Sequence, residues 1–390
     1  MFWLWSGAVF NVEFLFYGTL IMTFGLTVTQ AILEIEGIYF VVATVILLFS
    51  LHGSKLSGPA KIAVIIVAAL IQMIVPLLGH PTISKILRYL AYVFIVFFAV
   101  LAAFTFNRLH LSTFHAKPVS FAVWTTALVL LISVGGLGWT ENGNDYSRYL
   151  PRDTPPSRTF WAATLGGAIP SIILEILGVL AYTITTKSVG IAQIGVPESF
   201  PSWFVTPFLI FAIFQLLAIN TIDMYSSGVT LQALGLPIKR WGAVILDAVV
   251  CAVVTGIILF HGNFYADFSG FLLYIVVWLA PWFGILITDY LLRRARYDSA
   301  SLQSARGGLY WRNGGIHWPA VIAQVVGMVA ALMWINAAFD FPSYTGPISN
   351  HFPGLHGGDF SWALGIVVGA ALYWALAGRQ VRQEAAQTAA

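Results

Sequence analysis

Long apolar runs separated by short polar stretches make up almost the whole chain. Eleven such runs lie near 3–28, 31–51, 60–79, 86–106, 119–139, 159–184, 203–226, 241–261, 265–291, 318–338 and 361–377. Each is long enough to cross a hydrocarbon core of about 30 Å as a helix. The pattern predicts an all-α polytopic membrane protein: one transmembrane domain over 1–390, with a polar tail at 378–390. The opening MFWLW carries no basic n-region and no small-residue cleavage site, which points to a first span and not to a removable signal.

Composition agrees with the pattern. Of 390 residues, 59% are hydrophobic and 9% charged, with mean hydropathy +0.85. A soluble domain carries about 25% charged residues, so a lipid bilayer is the expected surroundings. The net charge of +3 sits in connections and at span ends, where it sets orientation and gives no sign of a nucleic-acid partner. From Gly135 onward the loops alternate. Arg148, Arg152 and Arg158 share one side with Lys239, Arg240, the cluster Arg293–Arg312, and Arg379 with Arg382, whereas 339–360 has no Lys or Arg. Basic loops face the cytoplasm, so the loop after Gly135 and the C-terminus are expected on the cytoplasmic side of a cell inner membrane. Counting spans back from that loop puts the N-terminus outside.

The chain's single cysteine, Cys251, excludes an internal disulfide or a thiolate metal cluster. Eight histidines lie in loops or at span ends without metal-ligand spacing. No phosphate loop, Ser–His–acid arrangement or zinc-protease motif is present, so neither ATP-driven transport nor an enzymatic reaction is expected, and no cofactor beyond a coupling ion, proton or sodium.

Polar residues inside the runs are the candidate chemistry. In GGLGWTENGNDYSRYLP (135–151), the glycines Gly135, Gly136 and Gly138 loosen the end of a span, as broken helices do at the midplane sites of secondary transporters. Asn220, mid-span in QLLAINTIDMYSSG, offers a donor and an acceptor to a polar solute; an amide linking two helices is the plainer alternative. Glu13 lies at a depth that demands a partner or a water path and makes it a candidate proton carrier. Asp223 stands one helical turn after Asn220, and Gln215 five residues before it, roughly 140° away around the helix. Glu175 and Asp247 are further intramembrane acids. Asp145 with Arg148 reads as a cytoplasmic latch, and Asp289 with Arg293, four apart, as a structural pair.

Four stretches carry a family resemblance: GAVFNVEFLFYGTLIMTFGLT, NDYSRYLP, NTIDMYSSGVTLQALG and PWFGILITDYLLRRARYD. Together they resemble the nucleobase–cation symporters, permeases for cytosine, purines, uracil, hydantoins, allantoin or thiamine. The resemblance implies a LeuT-type five-plus-five inverted-repeat bundle with two extra C-terminal helices. The first repeat would cover about 3–106, the second 119–291, and the extra helices 318–377. GSKLSGPAK runs directly into a stretch like the family's fourth span, leaving no match for the third and about 11 spans in all. By the same resemblance Asn220 falls at the family's substrate-contacting Asn. The stacking aromatic falls at Gly136, with Trp139 the nearest substitute. The sodium-holding hydroxyl pair reads Ala218 and Ile219, which favours a proton as coupling ion. The implied function is ion-coupled import of a nucleobase or similar planar heterocycle. A shortened, non-transporting relative that serves as a binding or assembly component, or is an inactive remnant, is the alternative. Oligomeric state leaves no mark in the sequence.

Overall fold

A computed structural model describes residues 18–109, 118–138, 140, 147, 149–151, 153–184, 200–233, 238–261, 264–298, 300–301, 308–312, 316–337, 343–351 and 353–388. Within these residues the long helices are α1 (Gly18–Leu51), α2 (Gly58–Leu78), α3 (His80–Arg108), α4 (Phe121–Leu131), α5 (Pro156–Thr183), α6 (Ser202–Ala233), α7 (Arg240–His261), α8 (Phe264–Arg293), α9 (Trp318–Trp334) and α11 (Ser361–Gln387). Eight of them are long and apolar enough to cross a membrane; α9 and the α4 unit are shorter apolar helices. The described residues are therefore those of an all-α polytopic membrane protein.

Three boundaries differ from the sequence reading. The runs at 31–51 and 3–28 were separated at Thr29 and Gln30, yet α1 passes through both residues without a break. Neither residue is a Gly or Pro, and one polar pair is too little to stop a helix whose backbone bonds must close internally in lipid. At the other end α11 continues to Gln387, so most of the expected tail at 378–390 is helix. The basic-free loop 339–360 holds a two-residue strand, Tyr344–Thr345, paired antiparallel with Asn336–Ala337 just before the loop, and the short helix α10 (Pro347–His351).

Local chemistry explains the sharp turns. Ser57 caps α2 by accepting the Ala60 N–H, and Ser120 caps α4 by accepting that of Val123. Gly79 joins α2 to α3 at φ 90°, a conformation that side chains resist. Arg240 donates to the Pro76 and Leu77 carbonyls, satisfying the C-terminal end of α2.

The helices pack in two groups. One comprises α1, α2, α6 and α7; α3 leans on it and α5 touches the body through α3, with most of its apolar surface open. The other comprises α8, α9 and α11, against which the end of the α4 unit packs. Small residues let this second group close. A Cβ at Gly369 would stand 2.7 Å from the Pro281 carbonyl oxygen of α8, and one at Gly365 2.8 Å from Ala280 Cβ. Two glycines four apart thus form the contact, the close-approach device of membrane helices. Gly369→Leu should force α8 from α11 and cost about 1–3 kcal/mol or more, read as a lower unfolding temperature in detergent. Gly178→Leu, on an open face of α5, is the matched control and should leave that temperature unchanged.

At one end of this group lies a buried charged network. Arg293 donates to Asp289 Oδ2 and Glu384 Oε2, each at 2.9 Å. Tyr373 and Tyr297 donate to the same Asp289 carboxylate at 2.6 and 2.9 Å. Arg312 also pairs with Glu384, and the Arg293 guanidinium lies 4.9 Å from the centre of the Tyr310 ring. The Asp289–Arg293 pair expected from spacing is therefore real and is joined by a residue of the expected tail. His317 is buried beside it; burial first, then the Arg312 and Arg293 charges, push its imidazole down to about 3, so it is neutral at physiological pH.

Candidate functional site

The glycine stretch forms a π-helix, Ile132–Leu137, continuous with α4. This corrects the expectation of an unwound element. The looser turn keeps its backbone bonds inside the segment: the Gly138 N–H donates to the Ser133 carbonyl five residues back, a wide turn typical of functional helices. Gly138 is where that turn closes, since a Cβ there would stand 2.8 Å from Ser133 O. Gly135 and Gly136 are exposed with open space around them. The π-helix packs chiefly on α8 and on its own α4.

Asn220 lies elsewhere. It is buried on α6 at the contact with α1 and α2, and its Nδ2 donates to the Glu34 carbonyl at 3.1 Å and to Gln72 Oε1 at 2.9 Å. The close approach depends on Gly37 of α1: a Cβ there would fall on the Asn220 carboxamide. The carboxamide therefore fastens three helices together, with its principal neighbours on α1 and α2 and not on the π-helix. Gln72 keeps one further donor, Nε2, without a partner. Gln215 is exposed on another face of α6, as its angular offset implies.

Around Asn220 the structure gathers acids that no single run revealed. Asp223, buried one turn along α6, acts electrostatically on Glu34 and Glu36 of α1. Glu34 is fully buried and faces Asp247 of α7, within reach of a shared hydrogen bond. Cys251, one turn after Asp247, places Sγ 3.7 Å from Glu34 Oε2 and 3.8 Å from Asp247 Oδ1. Among the described residues, none of the ion pairs involves any of these four carboxyls. Glu175, by contrast, is exposed on α5. Sequence reasoning passed over Glu34, Glu36 and Gln72, although two acids in ILEIEGIYF and one amide in a seventeen-residue apolar stretch were there to be seen.

Glu13, Trp139, Asp145 and Arg148 lie outside the described residues. Next to the last of them, Tyr149 stacks on His80 with ring centroids 4.0 Å apart and shares a 2.6 Å hydrogen bond with the Tyr225 hydroxyl. Two of the stretches that carry the resemblance, NDYSRYLP and MYSSG, therefore meet in space at Tyr149 and Tyr225.

Comparison with known proteins gives a consistent picture. The profile of a family described as "Permease for cytosine/purines, uracil, thiamine, allantoin" matches residues 57–365. The protein named "Putative purine-cytosine permease YxlA" of Bacillus subtilis (strain 168) is 28% identical over 321 residues, covering 79% of this chain and 66% of that protein. The purine-cytosine permease fcyB of Emericella nidulans is 23% identical over 352 residues, covering 84% of this chain and 65% of its own length. The chain thus spans about two thirds of the length of the curated relatives it matches. Among solved structures, the fold is similar to Mhp1, a nucleobase-cation-symport-1 family transporter, in a closed conformation with bromovinylhydantoin bound. The TM-score is 0.69 at 16% identity, over 98% of this chain and 82% of that one. The inward facing conformation of Mhp1 gives a TM-score of 0.66 at 16% identity, over 98% and 80%. The architecture is accordingly that of the LeuT-type bundle implied by the sequence.

Proposed function

Because the chain belongs to the family of permeases for cytosine/purines, uracil, thiamine and allantoin, we propose that it carries a small planar heterocycle of that class across the membrane by ion-coupled alternating access, driven by protons more than by sodium. The observation that supports this most is the carboxamide pair of Asn220 and Gln72, buried in the bundle. Gln72 Nε2 supplies a free donor and Asn220 Oδ1 an acceptor, the complement of a cis-amide or ureide edge. Such a pair is expensive to bury half-used and is more easily understood as an exchangeable recognition surface. In the described state it is packed shut between α1, α2 and α6, so substrate entry requires that contact to part, as rocking of one bundle against another would do.

In this scheme Gly135, Gly136 and Gly138 line the path with Trp139, and Asp223 and Glu13 serve the coupling ion. Asp145 with Arg148 latches the cytoplasmic end, on the side marked by the basic loops. The match to permeases across 57–365 supports the carrier over the binding-component alternative. The test is uptake of radiolabelled cytosine, uracil, hypoxanthine and allantoin by cells expressing the chain at two external pH values. Uptake of at least one solute, faster at the lower pH, is expected. Absence of uptake of all four by correctly inserted protein contradicts the proposal.

A further inference from the structure

Glu34 of α1 and Asp247 of α7 face each other inside the membrane-spanning bundle. One carboxyl oxygen of each and Cys251 Sγ lie within 4.8 Å of one another, and all three residues are buried. Glu34 Oε1 and Asp247 Oδ2 each lack a hydrogen-bond partner. An independent feature on a third helix points into the same space. Ser227 of α6 is fully buried and adjoins the Asp247 carboxyl, yet its Oγ meets no partner in hydrogen-bond geometry. The other titratable groups facing the pair are Asp223 on α6 and Cys251 on α7; Glu36, two residues from Glu34 and so on another face of α1, interacts with Asp223, and the neutral Gln72 of α2 bonds Asn220. No Lys, Arg or His among the described residues pairs with these acids.

We propose that Glu34 and Asp247 form a carboxyl–carboxylate pair that holds one exchangeable proton between α1 and α7, and that this proton is the driving ion. The inference rests on the carrier function proposed above and adds to Asp223 and Glu13, which serve the coupling ion there, the pair on which the proton resides. Two ionised carboxylates so close in a buried site repel each other, so the pair gains and loses its proton as a unit. The Cys251 S–H lies within reach of the Ala31 carbonyl and of one oxygen of each acid, and turns to the acid oxygen that carries the charge. Loss of the proton leaves two negative groups facing each other across the α1–α7 contact, which drives the helices apart; protonation closes them. Coupling to solute follows from the same residue, because the Glu34 carbonyl is what Asn220 grips. A solute that engages the Asn220 carboxamide releases the turn of α1 that bears the acid.

Cys251 is the chain's sole cysteine, so its infrared S–H stretch reports this site alone. The experiment uses the full chain in proteoliposomes, with Glu34→Gln, Asp247→Asn and the conservative Glu34→Asp and Asp247→Glu. In the unsubstituted chain the S–H band should shift as pH is stepped, and an inward gradient of one pH unit should give up to about tenfold accumulation of a transported solute for one proton per solute. In Glu34→Gln and Asp247→Asn the band should no longer respond to pH, and accumulation should fall to equilibration while counterflow exchange persists. The conservative variants, which keep the pair, should recover part of the accumulation. A pH-insensitive band in the unsubstituted chain, or undiminished accumulation in both neutral variants, overturns the proposal. So does loss of the S–H band on adding zinc at neutral pH, which would mark a metal site instead. If no solute is taken up by any form, the carrier function fails, while the band still decides whether the pair holds a proton.

Discussion

Arg293→Met is expected to destabilise the folded chain by about 3–5 kcal/mol, because it removes the cation from a buried network and leaves carboxylates behind. Arg293 and Asp289 are almost wholly shielded, with side-chain exposures of 0% and 2%. After the change Asp289 retains only the Tyr297 and Tyr373 hydroxyls, whereas Glu384 still has Arg312. The deficit therefore falls on Asp289, and a second change, Asp289→Leu in the Arg293→Met background, should restore part of the stability. Glu384→Gln alone should cost less than Arg293→Met, since Asp289 remains paired. Thermal unfolding of the unsubstituted chain and these three variants in detergent measures all of these, and adding Asp289→Leu alone completes the cycle that isolates the coupling.

The second large effect concerns Asn220. Replacing it by Leu removes the donor to Gln72 Oε1, a buried acceptor whose stranding costs about 1–3 kcal/mol, and the second donor to the Glu34 carbonyl. Uptake of a transported solute should fall by tenfold or more. Gly37→Ala should produce the same loss without touching a polar group, because its methyl occupies the place of the Asn220 carboxamide. A normal rate in Gly37→Ala would show that the carboxamide can move aside without consequence, and that the three-helix contact is not part of the cycle. Membrane fraction and solubility serve as checks that both proteins are inserted.

How much of this was legible in the sequence depends on range. Helices were legible because lipid permits little else, and the apolar runs marked where the described helices lie but not where they end. The contact one turn apart was legible too: Asp289 with Arg293. What failed was everything that depends on which helix faces which. Glu384 reads as part of a polar tail until α11 carries it back to Arg293, 91 residues away in sequence. Asn220 and the glycine stretch both interrupt apolar runs, but periodicity is silent on neighbours, and the carboxamide lies against Gly37, Glu34 and Gln72. The glycines were read as unwinding the chain; in the structure a π turn absorbs them with its hydrogen bonds intact. Glu34 and Asp247 were two isolated acids in two runs, and their meaning lies in facing each other. The family resemblance supplied the bundle, and the profile match across 57–365 placed the chain in that family, but Glu34 precedes the matched segment.

The measurement that bears most directly on the whole account is equilibrium binding of a panel of heterocycles (cytosine, uracil, hypoxanthine, allantoin and hydantoin) to the purified chain and to Asn220→Leu. Saturable binding of at least one compound, weakened about tenfold or more by the substitution, is the expected result. Binding of none of them, or binding that Asn220→Leu leaves unchanged, would contradict the claim that the buried carboxamides at the α1–α2–α6 contact recognise the solute.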